Sequence, residues 1–240
     1  MISVKKPAVR FALLVIAVCL LAGCKSREIG SSASSSPASP AAQTQVEADS
    51  GVGLTGGKLV FEDDFGREEL GERWKRGSGE GGSGQWRIEE ARVAGNAIRN
   101  DPLWLQSALP DKVRVEFEAQ ALTNVGDLKI EIFGDGERHE SGYILIFGGW
   151  NNKLDVIARQ DEHGQDRKAR NSVGVKPLHV YKMAVVRTDS TLHWYVDGEH
   201  FMRYEDQAPL VGEGHRHFAF ANWDAPVRFG KVRVFDLGGL

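Results

Sequence analysis

The chain has 240 residues, of which 41% are hydrophobic and 26% are charged, a composition typical of a globular protein. Its 30 basic and 33 acidic side chains give a formal net charge of −3, which argues against a nucleic-acid-binding protein, since such proteins carry a strongly basic surface. The two cysteines exclude a disulfide-rich scaffold and a multi-cysteine zinc site, whereas 28 glycines and 11 phenylalanines favour turn-rich β structure.

The first 24 residues are predicted to contain an export signal. Lys5, Lys6 and Arg10 precede an uninterrupted apolar run at 11–21, which is shorter than the roughly 20 residues that a helix needs to cross a bilayer. The run therefore indicates the hydrophobic region of a signal peptide rather than a transmembrane helix. The sequence Leu-Ala-Gly-Cys at 21–24 closes it and resembles the lipobox of bacterial lipoproteins.

The lipobox resemblance implies cleavage before Cys24 and attachment of fatty-acyl chains such as palmitate to that cysteine. Residues 1–23 would then be a removed signal peptide, and the acyl chains would anchor the mature protein to a membrane without a spanning helix. Lys25 follows the cysteine, in place of the aspartate that resembles an inner-membrane retention signal. The predicted location is therefore the bacterial cell envelope, at the outer membrane.

Residues 24–57 are predicted to be the lipidated cysteine and a disordered linker. After Cys24 the segment is dominated by Ser, Ala, Gly and Gln, and it has too little apolar surface to offset the entropy lost on ordering.

The globular domain is predicted to span residues 58–237, where short runs alternate between apolar and polar side chains. Such alternation is typical of strands with one face on a core and one in water. Asp197-Gly198 separates two of these runs and is a strong β-hairpin signal. Helical periodicity is absent, so roughly ten to fourteen strands predict an all-β fold, a two-sheet antiparallel sandwich. The clearest alternations lie at 113–120, 127–132, 192–197 and 231–234.

Several of these runs resemble the concanavalin A-like lectin/glucanase superfamily of β jelly rolls. Residues 59–65 followed by Trp74 resemble its first strand, and residues 85–93 around Trp86 resemble an early hairpin. Residues 181–198 resemble the late hairpin of laminin-G-like and family 16-like domains, and residues 229–234 resemble the closing strand. The resemblance implies the fold, but it implies function only weakly, because lectins, glycosidases, lyases and adhesion modules share this fold.

Glycoside hydrolysis is one activity that the resemblance suggests. A retaining mechanism needs two carboxyl groups about 5–5.5 Å apart, and family 16 enzymes carry them on a Glu-x-Asp-x-x-Glu or Glu-x-Asp-x-Glu strand. In this chain Phe133 stands where the middle aspartate would be, after Glu131. The favoured interpretation is that the acidic residues here are solvated charges on an outer face. A glycosidase outside that motif would use Glu131, Asp161 or His163 as its acid or base.

Carbohydrate binding needs an exposed aromatic face for the apolar side of a sugar ring, with amides or charges for its hydroxyl groups. Trp150 lies among turn residues beside Asn151 and Asn152, and Trp223 lies in a similar setting near the C-terminus. The strand that follows Trp150 leads to further polar residues. The predicted ligand-binding set is Trp150, Asn151, Asn152, Arg159, Asp161, His163 and Trp223.

Metal binding is only weakly indicated. His215 and His217 are more readily interpreted as solvated histidines than as zinc ligands, because no third ligand lies nearby in the sequence. A structural calcium ion between Asp63 and Asp236 is the alternative, since the first and last strands of such folds often pair. No other cofactor is expected.

The favoured function is that of a membrane-anchored lipoprotein whose jelly-roll domain binds a carbohydrate or polysaccharide without catalysis. The first alternative is a glycoside-acting hydrolase, resembling the keto-disaccharide hydrolase-like domains of this fold. The second is a structural or adhesion module of the envelope. The sequence leaves the ligand and the oligomeric state open.

Overall fold

The structure is a computed structural model that describes residues 54–238. The predicted signal peptide, the lipobox at Cys24 and most of the predicted linker lie outside these residues. The described chain forms fifteen strands and one four-residue helical turn, α1 (Gly149–Asn152), so that the predicted all-β class is confirmed. The strands are β1 (Lys58–Asp63), β2 (Trp74–Arg76), β3 (Arg87–Glu89), β4 (Arg92–Gly95), β5 (Leu103–Leu105), β6 (Val113–Ala121), β7 (Leu128–Gly134), β8 (Tyr143–Gly148), β9 (Leu154–Arg159), β10 (Lys168–Asn171), β11 (Tyr181–Arg187), β12 (Thr191–Val196), β13 (Glu199–Glu205), β14 (His217–Ala221) and β15 (Val227–Asp236).

The strands form two antiparallel sheets stacked as a sandwich. Sheet 1 has eight strands in the order β13-β12-β11-β6-β15-β4-β3, with β1 also paired to β15. Sheet 2 has seven strands in the order β10-β9-β8-β7-β14-β5-β2. No helix among residues 54–238 has both the length and the apolar character that a membrane crossing requires.

Alternating side chains build the core between the sheets. In β6, Val115 and Phe117 point into the core, and Phe117 packs against Phe218 of β14 in the opposite sheet, with ring centres 5.7 Å apart. The hairpin predicted at Asp197-Gly198 joins β12 to β13, and both residues adopt the positive φ angles, 53° and 86°, that a type I′ turn needs.

Sheet 2 is also buried on much of its outer face, the face turned away from sheet 1. Ile144 and Ile146 of β8 point outward, yet they form a second apolar cluster with Val156 and Ala158 of β9. Trp150 of α1 packs at the edge of this cluster. The loops that cover this face form the candidate site.

Candidate functional site

A cavity of about 340 Å³ opens on the outer face of sheet 2, where the loops after β2, β6, β9 and β14 meet α1. We call it the tryptophan cavity. Strands β7 and β8 form its floor, and side chains from α1 and the loops form its walls. Its chemically important residues are Asp127, Lys129, Trp150, Glu162, His163 and Trp223.

The turn that carries Trp150 has an unusual backbone. Trp150, Asn151 and Asn152 have φ angles of 52°, 58° and 62°, so three consecutive residues adopt the left-handed helical conformation. This conformation costs non-glycine residues roughly 1–2 kcal/mol each. The side chain of Asn152 offsets part of the cost, because its Nδ2 donates to the carbonyl of Val175 at 2.9 Å and its Oδ1 accepts from the amide of Val175 at 2.7 Å.

Glycine is required immediately before this turn. Gly148 has a φ of 70°, and a Cβ at that position would lie 2.5 Å from Asn152 Oδ1 and from Val175 Cγ2. The amide of Gly148 donates to Oδ1 of the buried Asp155 at 3.0 Å. These contacts hold the strained turn in place and keep the indole of Trp150 at the cavity.

The indole of Trp150 is flanked by two side chains of the loop after β9. The ring of His163 meets it edge-on, with ring centres 5.6 Å apart, and the guanidinium of Arg167 lies over it at 5.1 Å from the ring centre. Arg167 Nη1 also donates to the carbonyl of Glu162 at 2.6 Å, which fixes this loop against the indole. A cation–π contact of this kind contributes about 0.5–1 kcal/mol at a partly exposed site.

Trp223 occupies another part of the cavity wall and is 40% exposed. The guanidinium of Arg99 lies 5.9 Å from its ring centre, and Arg99 Nε pairs with Asp224 Oδ2 at 2.8 Å. The backbone amide of Trp223 donates to Asp127 Oδ2 at 2.5 Å. Two tryptophans, each beside a guanidinium, therefore line the same cavity.

A charged row on the outer side of β7 supports these loops: Asp127, Lys129 and Glu131, spaced two residues apart. The interpretation of such acidic residues as solvated charges is wrong for this strand, since Lys129 is only 1% exposed and Glu131 is fully buried. Lys129 Nζ donates to Asn100 Oδ1 at 2.8 Å and to Glu162 Oε2 at 2.7 Å. Each residue of the row hydrogen-bonds to at least one loop that covers sheet 2.

Two carboxyl groups that line the cavity, those of Asp127 and Glu162, have pKa values shifted in opposite directions. Burial raises the pKa of Asp127 above its ordinary value, and the nearby charge of Lys129 opposes this only in part. Burial also opposes ionisation of Glu162, but the attraction and hydrogen bond of Lys129 outweigh it and lower the pKa of Glu162. The ammonium of Lys129 is itself stabilised against burial by Asp127 and Glu162, which raise its pKa.

Comparisons with known proteins identify the fold. No protein-family model matches the chain, and a search of curated proteins finds no match. Among solved structures, the carbohydrate-binding module CBM66 from Bacillus subtilis is similar with a TM-score of 0.56 and 12% identity, covering 68% of this chain and 96% of that one. An endo-β-1,3(4)-glucanase of family GH16 gives a TM-score of 0.55 at 14% identity, covering 75% of this chain and 95% of that one. The β-glucanase of Bacillus licheniformis gives 0.51 at 15% identity, with 76% and 99% covered.

The described domain has the concanavalin A-like jelly-roll fold of these solved structures. The resemblance inferred from the sequence is thereby confirmed for the fold, whereas the lipoprotein part stays a prediction. At these identities the comparisons establish the architecture, and the site has to be argued from the residues of this chain.

The jelly roll brings four of the seven predicted ligand-binding residues together at the tryptophan cavity: Trp150, Asn151, His163 and Trp223. Asn152 instead holds the turn through Val175. The other two, Arg159 and Asp161, lie outside the lining.

Arg159 and Asp161 have contacts that explain why they do not line the cavity. Arg159 Nε donates to Asp206 Oδ2 at 3.0 Å, beside the buried hydroxyl of Tyr143, which binds the same carboxylate oxygen at 2.6 Å. Asp161 Oδ1 accepts from the backbone amide of His163 at 2.8 Å and so stabilises the loop turn. Both residues shape the jelly roll rather than the cavity surface.

The alternative acid–base residues are similarly divided. His163 lines the tryptophan cavity, whereas Glu131 and Asp161 do not. Glu131 Oε1 bonds His139 Nδ1 at 2.7 Å, and its Oε2 accepts from the amide of Glu140 at 3.1 Å. Phe133 has a φ of 58° and turns into the core against Tyr143, so that the family 16 aspartate position is not on the outer face.

The proposed calcium pair does not form a site. Strands β1 and β15 do pair, but the register sets Asp63 opposite Val232 and Asp236 opposite Lys58. The two carboxylates are therefore five positions apart along the strand, about 16 Å at ~3.3 Å per residue. The carboxylate of Asp63 is also occupied by Arg67 at 2.6 and 2.9 Å and by Trp74 Nε1 at 2.9 Å.

No cluster of three metal-binding side chains occurs among residues 54–238. His215 Nδ1 contacts the carbonyl of Phe133 at 3.1 Å, and His217 Nδ1 contacts the carbonyl of Leu105 at 2.9 Å. The two histidines are thus tied to the backbone of sheet 2.

A larger cavity of about 800 Å³ lies on the outer face of sheet 1. Two ion pairs lie in it: Arg233 with Glu116 at 2.6 Å and Lys231 with Glu118 at 2.7 Å. Its aromatic side chain Tyr195 is only 1% exposed. This surface lacks an aromatic face for a sugar ring, so the smaller tryptophan cavity is the better candidate.

Sequence reasoning missed four charged residues of the cavity: Glu80, Asp127, Lys129 and Glu162. The alternation at 127–132 was visible and predicted the outward direction of Asp127 and Lys129. Their burial depends on loops from four distant parts of the chain, and no local pattern reports it. Glu162 lies between two predicted residues, but nothing in its sequence neighbourhood indicates the ion pair with Lys129.

Proposed function

We propose that this jelly roll binds carbohydrate in the tryptophan cavity. The observation that carries the proposal is the presence of two tryptophans and a charged floor in one cavity. Indoles suit the apolar face of a sugar ring, and ionised side chains make strong hydrogen bonds to hydroxyl groups. The volume of about 340 Å³ is within the usual range for small-ligand sites.

The strained backbone supports the same site. Backbone strain persists where surrounding structure enforces it, and it is concentrated at ligand-binding positions. Positive φ angles occur at Asp127, Asn151 and Trp150 of the cavity, at Asn100, which binds its floor, and at Asp224, beside its wall. A fold that keeps these conformations around one cavity is consistent with selection for the shape of that cavity.

The charges of the cavity favour an uncharged glycan. Asp127, Glu162 and Glu80 supply three carboxyl groups to the lining, against the single ammonium of Lys129. A uronate or sulfate group would face this acidic excess at short range and lose its hydration. We therefore propose a neutral sugar as the ligand class.

A glycoside hydrolase is the second candidate. Asp127 and Glu162 line the same cavity, and their pKa values are shifted apart, which is the pattern expected of a proton donor and its partner base. In this alternative Asp127 protonates the departing oxygen, and Glu162 removes a proton from the attacking water.

We further propose that the domain is held at the bacterial outer membrane by lipid on Cys24. The support is the order of basic residues, apolar run, small residues and cysteine in the sequence. Metabolic labelling with a fatty-acid analogue tests this: the wild type is labelled, and Cys24→Ser is not. Labelling that persists in Cys24→Ser contradicts the anchor.

A glycan array of neutral and anionic oligosaccharides tests the binding proposal. The wild type is expected to bind neutral glycans, and Trp150→Ala to weaken this at least tenfold, about 1.4 kcal/mol. Leu178→Ala, an exposed apolar residue that does not line the cavity, is the matched control and should bind normally. Binding that survives Trp150→Ala together with Trp223→Ala contradicts the proposed site.

The same variants separate the three functions. A lectin keeps most of its binding in Asp127→Asn and turns over no glycoside. A hydrolase cleaves its bound glycan and loses cleavage in Asp127→Asn and Glu162→Gln while still binding. The absence of any response on the array favours the structural module over both.

A further inference from the structure

A buried acid–imidazole pair lies behind the tryptophan cavity and takes no part in lining it. Glu131 of β7 is fully buried, and His139 of the β7–β8 loop bonds it through Nδ1 at 2.7 Å. The other ring nitrogen of His139 is buried without a hydrogen-bond partner. A separate cavity of about 410 Å³ adjoins His139, and neither Trp150 nor Trp223 lines it. The β7–β8 loop is therefore held to β7 by a contact between two titratable groups.

A continuous series of contacts connects this pair to Trp150. The amide of Glu140 donates to Glu131, and Glu140 Oε1 accepts from the amide of Glu162 at 3.0 Å. Glu162 in turn binds Lys129 through its side chain and Arg167 through its carbonyl, and Arg167 lies over the indole. Within this series Glu140 joins the β7–β8 loop to the loop after β9. Gln160 also links the two loops, since its amide donates to the carbonyl of Gly142 at 2.8 Å, but this bond involves neither Glu162 nor Arg167.

The charged groups around the pair come from three elements. Lys129 lies two residues away on β7, and its positive charge opposes protonation of His139. Glu140 approaches His139 Nε2 at 3.9 Å from the same loop, and Glu162 acts on His139 from the loop after β9. The adjoining cavity also contains Asp135, Arg138 and His215.

We propose that the Glu131–His139 pair is a proton-dependent latch that sets the position of Trp150 through Glu140 and Glu162. The latch is closed while the pair holds its proton and loosens when the proton is lost. The inference concerns the shape of the tryptophan cavity and holds whatever that cavity binds.

The direction of the switch follows from the environment of the pair. Burial raises the pKa of Glu131. Burial opposes protonation of His139, but the hydrogen bond and charge of Glu131 outweigh it, so the pKa of His139 lies above its ordinary value of 6.5. Above that pKa a buried carboxylate faces a neutral imidazole, and an uncompensated buried charge is costly. The β7–β8 loop then moves away from Glu131, and Glu140 releases the amide of Glu162.

Nuclear magnetic resonance of the full-length chain tests the latch. The reporter is the indole N–H of Trp150, assigned with Trp150→Phe, and the sensor is the ring C–H of His139, assigned with His139→Gln. All spectra are recorded in a His163→Gln background, because the ring of His163 lies against the indole and would act on its resonance directly. The expected result is one midpoint above 6.5 shared by Trp150 and His139.

Glu140→Ala is the decisive variant, because it removes the acceptor of the Glu162 amide while the backbone amide of Glu140 still donates to Glu131. The Glu140 carboxylate also lies 3.9 Å from His139 Nε2, so the midpoint of His139 is measured again in this variant. In Glu140→Ala, His139 is expected to titrate while the Trp150 resonance no longer follows it. Glu137→Ala is the matched control in the same loop, since the Glu137 side chain is 72% exposed, and it should behave as the wild type. A Trp150 resonance that does not follow His139, or that still follows it in Glu140→Ala, overturns the proposal.

Discussion

At the scale of single residues, Asn151 occupies a backbone conformation that suits glycine better than its own side chain. Its φ and ψ of 58° and 51° are left-handed, and neither its side chain nor that of Trp150 binds the backbone of Val175 as Asn152 does. A residue with no Cβ would adopt this conformation without steric cost. The turn therefore retains strain that a single substitution can release.

Asn151→Gly is expected to raise the free energy of unfolding by about 0.5–1 kcal/mol, because relief of the left-handed conformation exceeds the added chain entropy of glycine. Urea unfolding measures the change. Asn171→Gly, in the exposed strand β10, is the control and should lower stability, since a strand residue has no such strain to lose. A destabilised Asn151→Gly protein would show that the turn is not strained.

Lys129 is the opposite case, because its removal is expected to lower the stability of the fold. Lys129→Met leaves Glu162 and Asp127 buried without a cation, and the loss should be about 3–5 kcal/mol by urea unfolding. Adding Glu162→Gln to Lys129→Met should recover part of the lost free energy of unfolding, because one of the two unpaired carboxylates is removed. Lys231→Met is the matched control: Lys231 also pairs with a glutamate, but its side chain is 67% exposed, so the expected loss is below ~1 kcal/mol. Equal losses in the two proteins would contradict the buried network.

At the scale of elements, strand β7 marks the limit of what its sequence can predict. The alternation of Leu128 and Ile130 with Lys129 correctly assigned one face to the core. The other face looked solvated, because burial there requires loops around Asn100, His139, Glu162 and Trp223, which are far apart in the chain. Local periodicity predicts which face of the sheet a side chain lies on, whereas its burial by distant loops depends on the tertiary structure.

The backbone conformation of the turn α1 was also not predictable from the sequence. The cluster of glycines, Trp150 and two asparagines indicated a turn near a binding surface, and it did predict the position of the indole. The sequence predicts the two amides and the indole as equivalent ligand groups. Only the backbone conformation shows that Asn152 faces Val175, so that it supports the site rather than lining it.

Asn152→Ala tests this supporting role at the level of the element. Two hydrogen bonds to Val175 are lost, and at about 0.5–1.5 kcal/mol each the protein should lose about 1–3 kcal/mol of stability. Amide hydrogen exchange at 148–153 should increase, and binding of a neutral glycan should weaken although Asn152 does not line the cavity. Asn171→Ala serves as the control. Unchanged exchange at 148–153 would contradict the role of Asn152.

At the scale of the whole molecule, the balance of shifted groups predicts an acidic optimum of stability. Glu162, Asp63 and Asp206 have lowered pKa values, so they stabilise the fold above the ordinary carboxyl pKa and lose this contribution as the pH falls. Glu131 and His139 have raised pKa values, so their contribution is present at low pH and is lost as the pH rises through their folded-state values.

The free energy of unfolding should therefore be greatest near the ordinary carboxyl values, at about pH 4–4.5, and should decline as the pH rises, first through the raised carboxyl groups and above about pH 6.5 also through His139. Urea unfolding from pH 3.5 to 9 measures the profile. In His139→Gln the decline above pH 6.5 should be smaller, because the imidazole whose raised pKa contributes there is gone. A wild-type profile that still rises between pH 6.5 and 8 would contradict the pKa directions of the buried pair.

The outer faces of the two sheets differ in the side chains that they present. Sheet 1 presents paired charges, whereas sheet 2 presents two indoles above a buried charged floor, and only the second surface suits a sugar ring. Determining the structure of the protein with the neutral oligosaccharide that binds best tests this claim most directly. The expected result is a sugar ring against Trp150 or Trp223, with hydroxyl groups within hydrogen-bond distance of Lys129, Asp127 or Glu162. A sugar bound to sheet 1, with the tryptophan cavity empty, would contradict it.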